Sequence, residues 1–75
     1  MKVKFSRHAR RRAKLYKIPE STIVEILEKV ELSQGEHEII KHVKGFKHSL
    51  KIVVFVQGGT LTVITNYPLK KGRRK

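Results

Sequence analysis

The fold is decided by residues 50–67, which read LKIVVFVQGGTLTVITNY. Residues 50–57 are β-branched and apolar on both faces, a pattern that predicts a central strand of a sheet. The pair Gly58-Gly59 predicts a two-residue turn into a second strand at 60–67, so that the two strands form a hairpin. We expect the more apolar face of this hairpin to pack against helices, with Thr65 and Tyr67 at the polar end of that face. The turn sets Gln57 opposite Thr60 and predicts the further pairs Val56–Leu61, Val54–Val63, Ile52–Thr65 and Leu50–Tyr67.

Outward from the hairpin, the remaining segments predict two helices and two more strands. Residues 2–5 alternate charged and apolar side chains as a short strand does, and Ser6 can cap a helix over residues 7–17. Pro19 ends that helix and opens a second one that runs to about Leu32. Residues 37–44 predict a further strand. The order β-α-α-β-β-β predicts one α+β domain at residues 1–69, with two helices on one face of a mainly antiparallel four-stranded sheet, and a basic tail at 70–75. The predicted core includes Ile26, Leu27, Val30, Val54, Val56 and Val63.

The charge of the chain indicates a polyanionic partner. Eighteen Lys and Arg residues face six Glu residues, which gives a formal net charge of +12 on 75 residues. All six acids lie between residues 20 and 38, so both ends of the chain are purely cationic. Nucleic acid is the first candidate for such a partner, and an anionic membrane surface is the second.

Composition and motifs exclude several classes of protein. The chain has no Cys and no Asp, which removes disulfide frameworks, thiolate zinc sites and Asp-based two-metal nuclease centres. It has no phosphate-binding or dinucleotide-binding glycine motif, so we expect neither a cofactor nor a metal site. The longest purely apolar run, Ile52–Val56, is far shorter than the roughly 18 residues that a membrane span needs. No apolar signal segment follows the basic start, so we expect a cytoplasmic protein without a membrane partner.

A helical wheel of residues 7–17 separates two groups of polar side chains. His8 and Arg12, one turn apart, fall on the inward arc with Ala9, Ala13, Leu15 and Tyr16. Either they line a groove between helix and sheet, or His8 bonds the backbone locally while Arg12 extends to solvent. The outward arc carries the cations Arg7, Arg10, Arg11, Lys14 and Lys17.

The two ends of the domain resemble a known family. Residues 5–12, FSRHARRR, are similar to the F-x-x-H-A-x-x-R opening of a family of short bacterial and archaeal domains of unknown function. Residues 63–68, VITNYP, resemble that family's closing strand, V-V-T-x-Y-P. The family is related to the fold group of ribonuclease toxins that includes barnase, EndoU, colicin and RelE. The chain departs from the family at three positions. Ala13 stands where members usually carry Met, Tyr16 where they often carry Arg, and Lys17 where they usually carry Gly.

The resemblance implies an RNA-binding domain of the RelE type and a metal-independent endoribonuclease toxin. Its catalytic residues would be His8 as acid or base, Arg12 on the phosphorane, Tyr67 as proton donor or orienting group, and Thr65 as a hydrogen-bonding group. The partners implied are RNA, including ribosome-bound mRNA, and an antitoxin protein. The alternatives are a non-catalytic basic nucleic-acid-binding module and a structural protein whose charge serves solubility. The predicted RNA-backbone contacts are Arg7, Arg10, Arg11, Lys14, Lys70, Lys71, Arg73 and Arg74.

Overall fold

A computed structural model of the chain describes residues 2–69, so the predicted basic tail at 70–75 lies outside the described residues. The element order agrees with the order predicted from the sequence, and the boundaries differ by a few residues. The elements are β1 (Lys2–Phe5), α1 (Arg7–Leu15), α2 (Glu20–Glu28), β2 (Gly35–Lys41), β3 (Leu50–Gln57) and β4 (Thr60–Pro68).

The four strands form one sheet in the order β1-β4-β3-β2. Strand β1 runs parallel to β4, while β4 with β3 and β3 with β2 are antiparallel. The parallel pair is possible because the two helices carry the chain from the end of β1 back across the sheet. The predicted fold class is therefore confirmed: both helices pack on the sheet in an α+β domain. Within residues 2–69 no helix has the length and apolar character of a membrane span, since α1 and α2 have nine residues each.

The core lies between the helices and one face of the sheet. Helix α1 reaches it through Ala9 and Ala13 alone, so its backbone can approach β4 closely. Helix α2 supplies larger side chains. One predicted core residue, Val30, is 37% exposed, because α2 ends at Glu28 and not near Leu32. The buried apolar residues are Ala9, Ala13, Ile18, Ile23, Ile26, Leu27, Leu50, Ile52, Val54, Val56, Leu61 and Val63.

The hairpin turn is the one predicted, with Gly58 and Gly59 both at positive φ (57° and 79°), as a tight two-residue turn requires. The pairing follows the predicted register from this turn as far as Val54 opposite Val63. Beyond that point the register shifts by one residue, because β4 contains an extra residue, Ile64.

This β-bulge makes two predicted pairs wrong. Ile52 lies opposite Asn66, not Thr65, and Leu50 lies opposite Pro68, not Tyr67. Because a shift of one residue exchanges the two faces of a strand, Thr65 and Tyr67 lie on the face without helices. Asn66 takes their place on the helix side and is fully buried.

The end of α1 contains a strained residue. The amide of Ile18 donates to the carbonyl of Ala13 at 2.8 Å, and the amide of Lys17 donates to Lys14 at 3.2 Å. This is the Schellman arrangement, in which the residue after the helix cap takes a left-handed conformation, usually as glycine. Lys17 occupies that position with φ of 58°. The position is the one where the resembling family usually has Gly.

We therefore expect Lys17→Gly to stabilise the domain. A non-glycine residue in the left-handed region costs roughly 1 to 2 kcal/mol, and the greater freedom of glycine in the unfolded chain offsets part of this gain. The expected net gain is about 0.5 to 1 kcal/mol, seen in thermal melting as a rise of roughly 4 °C. Lys17→Ala is the matched control, since alanine keeps the strain and should leave stability unchanged. Equal stabilisation by alanine would show that the lysine side chain, and not the backbone conformation, is the cause.

Candidate nucleic-acid interface

The outer side of α1 forms one wall of an open cleft of about 550 Å³. Its cationic residues are four of the five on the predicted outward arc, and all four are exposed. The fifth, Lys17, is not among the lining residues. The C-terminal end of α1 and the start of α2 complete the cleft. We call it the cationic cleft; its lining residues are Arg7, Arg10, Arg11, Lys14, Ala13, Ile18 and Glu20.

The spacing of the cations follows from the helix. Arg7, Arg11 and Lys14 are related by i, i+4 and i+7, so they form one row about 10 Å long at 1.5 Å per residue. Ser6 fixes the start of this row, because its hydroxyl accepts a hydrogen bond from the Ala9 amide at 2.9 Å as the helix cap. The cations therefore stand on a capped helix and not on a loop.

A single carboxylate lines the cleft. Glu20 lies 3.8 Å from the Nε atom of Arg10, and both side chains are about half exposed or more. Such a solvent-exposed pair is weak. Arg7, Arg11 and Lys14 have no ion-pair partner among residues 2–69, so their charges are available to an anion from outside. Guanidinium groups suit phosphate oxygens in particular, because they donate in a bidentate geometry.

The structure places His8 and Arg12 differently from the helical-wheel prediction. His8 is exposed and makes no hydrogen bond within the described part of the chain. Arg12 is partly buried and donates through Nη1 to the Tyr16 hydroxyl at 3.4 Å. Because α1 meets the sheet only through Ala9 and Ala13, the covered stripe is narrow. His8 and Leu15 fall outside it and are exposed, so their predicted inward positions are wrong.

Thr65 and Tyr67 lie on the helix-free face of the sheet, away from α1. Tyr67 is opposite Lys51, whose ammonium lies 3.3 Å from the Glu38 carboxylate. The hydrogen bond and the negative charge of Glu38 raise the pKa of Lys51, and Tyr67 adds to the effect. The four predicted catalytic residues thus occupy two places: His8 and Arg12 on α1, Thr65 and Tyr67 across the sheet.

Sequence reasoning missed several residues around these positions. Glu20 was not expected in the cleft, because its place depends on the turn at Lys17. The ion pair of Lys51 with Glu38 was missed because it depends on the register between β2 and β3. Its position beside Tyr67 was missed because the bulge in β4 leaves no local signal. Asn66 was missed for the same reason.

The seam between α1 and β4 explains the bulge. The Ser6 hydroxyl donates to the Ile64 carbonyl at 2.8 Å, and the Ser6 amide donates to Val63 at 3.0 Å. The Asn66 amide nitrogen donates to the carbonyl of Ala9 at 3.2 Å, while its buried Oδ1 atom has no hydrogen-bond partner. The bulge and the start of α1 are therefore one connected unit.

The predicted backbone contacts of the tail, Lys70, Lys71, Arg73 and Arg74, lie outside the described residues. Over the described range, no three His, Cys, Asp or Glu side chains are grouped as a metal site would require.

Comparison of the chain with protein-family models, with curated proteins and with solved structures finds no match. The resemblance to the RelE-related family therefore stays a prediction from residues 5–12 and 63–68.

Proposed function

We propose that this chain binds single-stranded RNA through the cationic cleft, as a small RelE-like domain acting in the cytoplasm. The observation that carries the proposal is the clustering of Arg7, Arg10, Arg11 and Lys14 in one cleft with a single, exposed carboxylate. Four cations on one wall favour a polyanion, and the family resemblance favours RNA among polyanions.

The chemistry of the cleft fits a sugar–phosphate backbone. Arg7, Arg11 and Lys14 offer donors in a row to successive phosphates of that backbone. Contacts of this kind position a nucleic acid but do not read its bases. We therefore propose binding with little sequence preference through α1.

A membrane surface fits the same charges less well. A helix that binds a membrane in the interface needs a free apolar face to insert. The inward side of α1, Ala9 and Ala13, is buried against the sheet and is also too small to insert.

An acidic segment of an antitoxin protein would compete with RNA, because it would use the same cations.

The test is the salt dependence of RNA binding, measured with a labelled oligonucleotide by fluorescence anisotropy. Four phosphate contacts at about −0.7 each predict a slope near −2.8 for log affinity against log salt concentration. A control oligonucleotide of different base composition should give the same slope and a similar affinity. An affinity that does not change with salt, or no binding at low salt, would contradict the proposal.

A metal-independent ribonuclease is the more specific form of this proposal, and it rests on His8 and Arg12. These two side chains share α1 with the cationic cleft, whereas Thr65 and Tyr67 lie on the other face of the sheet. Cleavage of labelled RNA should survive EDTA, and His8→Ala should lower its rate on the order of 10²-fold, the usual effect of removing a general acid or base. If the wild-type chain cleaves neither free nor ribosome-bound RNA, the ribonuclease proposal is wrong and only the proposed RNA binding remains.

A further inference from the structure

The helix-free face of the sheet, called here the open face, exposes large apolar side chains. Phe55 is 38% exposed, Ile64 is 37% exposed and Ile40 is 60% exposed, and the partly buried Val53 and Tyr67 lie between them. The register puts all five on the same side of the sheet. Val53 and Phe55 are two residues apart on β3 and so share a face, and Ile40 and Tyr67 lie opposite Lys51 on the two neighbouring strands. Ile64 is the extra residue of the bulge in β4. Exposed apolar side chains grouped on one face of a sheet mark an interaction surface.

The charge of the open face differs from that of the rest of the chain. It is nearly neutral, although the whole chain carries +12. Its charged residues are three lysines and two glutamates: Lys2, Lys4, Lys51, Glu36 and Glu38. One lysine, Lys51, already pairs with Glu38. A nearly neutral apolar surface favours a protein partner over a nucleic acid, whose phosphates would find few cations here.

Two of the three other charges of the open face, Lys4 and Glu36, form a self-complementary pair, while Lys2 has no acidic counterpart at its level on β2. The register aligns one row across all four strands: Lys4 on β1, Thr62 on β4, Phe55 on β3 and Glu36 on β2. Lys4 is therefore at one edge of the sheet and Glu36 is at the other, at the same level along the strands. Both are exposed, and neither has an ion-pair partner among residues 2–69.

From this pattern we infer that the open face binds a second copy of this chain, as a face-to-face dimer. A twofold axis parallel to the strands, between β3 and β4, turns the β1 edge of one subunit onto the β2 edge of the other. Lys4 then faces Glu36 of the partner subunit twice, and Phe55 of each subunit lies over Thr62 of the other. Two sheets stack in this way in sandwich folds, with their strands within about 30° of parallel.

The size of the face sets the expected affinity. Four strands about 4.8 Å apart and about six residues long give a face of roughly 19 by 20 Å. The area of this face, roughly 380 Å², is smaller than the roughly 800 Å² that each partner buries in a stable interface. We therefore expect a weak dimer with a dissociation constant on the order of 10 to 100 µM. The helices lie on the far side of each sheet, so both cationic clefts face outward. The dimer therefore does not depend on the proposed RNA binding.

Sedimentation equilibrium of the wild type and three single variants tests the dimer. Lys4→Glu and Glu36→Lys each place like charges opposite each other at both edges, so each should weaken self-association by at least about tenfold. An equimolar mixture of these two variants restores opposite charges at both contacts, so it should associate within about threefold of the wild type. Phe55→Glu should be monomeric at every concentration, with an unchanged circular dichroism spectrum.

Three results would overturn the dimer. The first is a wild type that stays monomeric up to about 1 mM, above the affinity expected for a weak interface. The second is a wild-type dimer that the charge variants do not weaken, since the contact would then use another surface. The third is a monomeric wild type whose RNA binding is lost in Phe55→Glu, which would assign the open face to nucleic acid.

Discussion

Reversing three charges of the cationic cleft, by Arg7→Glu, Arg11→Glu and Lys14→Glu together, should lower the affinity for single-stranded RNA by about 10³-fold. At about 0.1 M salt the loss of three phosphate contacts accounts for roughly 10², and repulsion by three carboxylates for about another factor of ten. All three side chains are exposed, so the fold should persist. The measurement is an anisotropy titration with one oligonucleotide at fixed salt.

A second triple variant separates local contact from overall charge. Lys29, Lys41 and Lys44 line a different cleft, of about 290 Å³, between the end of α2 and the segment after β2. Changing these three to Glu alters the net charge by the same amount, yet it removes no contact from the cationic cleft. We expect the control to lose less than about tenfold in affinity, because distant charges are screened. Equal losses in the two triple variants would mean that RNA responds to total charge and not to α1.

The substitution Asn66→Asp should come close to unfolding the domain at pH 7. Asn66 is fully buried, donates to the Ala9 carbonyl and has no partner for its Oδ1 atom. A carboxylate there is an unpaired buried charge beside a carbonyl oxygen, which costs about 3 to 5 kcal/mol. A chain of 75 residues has roughly 4 to 11 kcal/mol of stability in total. Urea unfolding measures the loss.

The neighbouring substitution Thr65→Asp is the matched control for the bulge. Thr65 lies on the open face, so the same new side chain should change stability by no more than about 0.5 kcal/mol. Without the bulge, Thr65 would lie on the helix side and Asn66 on the open face. Thr65→Asp would then be the strongly destabilising variant, and Asn66→Asp the mild one. A larger loss from Thr65→Asp than from Asn66→Asp would therefore contradict the structure of β4.

The pH dependence gives an independent check on the same variant. Burial raises the pKa of the introduced carboxyl at position 66 above the value of about 3.9 that it has in the unfolded chain. The folded state then binds more protons than the unfolded state between the two pKa values, so stability falls as pH rises through that window. The deficit relative to the wild type should shrink as pH is lowered from 7 towards 4, whereas an exposed carboxyl would show no such trend.

The parts of the fold that the sequence predicts are those with local causes. The turn at Gly58-Gly59 needs two residues at positive φ, and the run from Leu50 to Gln57 has the composition of a central strand. The break at Ile18-Pro19 is local as well. The outward arc of α1 follows from helical periodicity alone, which is why the cations of the cleft could be predicted.

The parts that could not be predicted depend on contacts between distant residues. Ile64 looks like an ordinary strand residue, and the hydrogen bond that holds its carbonyl in the bulge comes from Ser6, 58 positions away. The faces of Thr65 and Tyr67 depend on that bulge. His8 is exposed because the sheet covers only a narrow stripe of α1, formed by Ala9 and Ala13. A helical wheel does not show the width of that stripe.

An amide chemical-shift titration of the ¹⁵N-labelled chain with a short single-stranded RNA tests most directly whether α1 is the RNA-binding surface. At about 50 mM salt, where phosphate contacts are strong, we expect saturable shifts of the amides of residues 7–14 and of Glu20. The amides of Glu36, Ile40 and Phe55 on the open face should move little at a chain concentration low enough to keep the protein monomeric. Shifts centred on the open face, or no saturable shifts in α1, would contradict RNA binding through the cationic cleft.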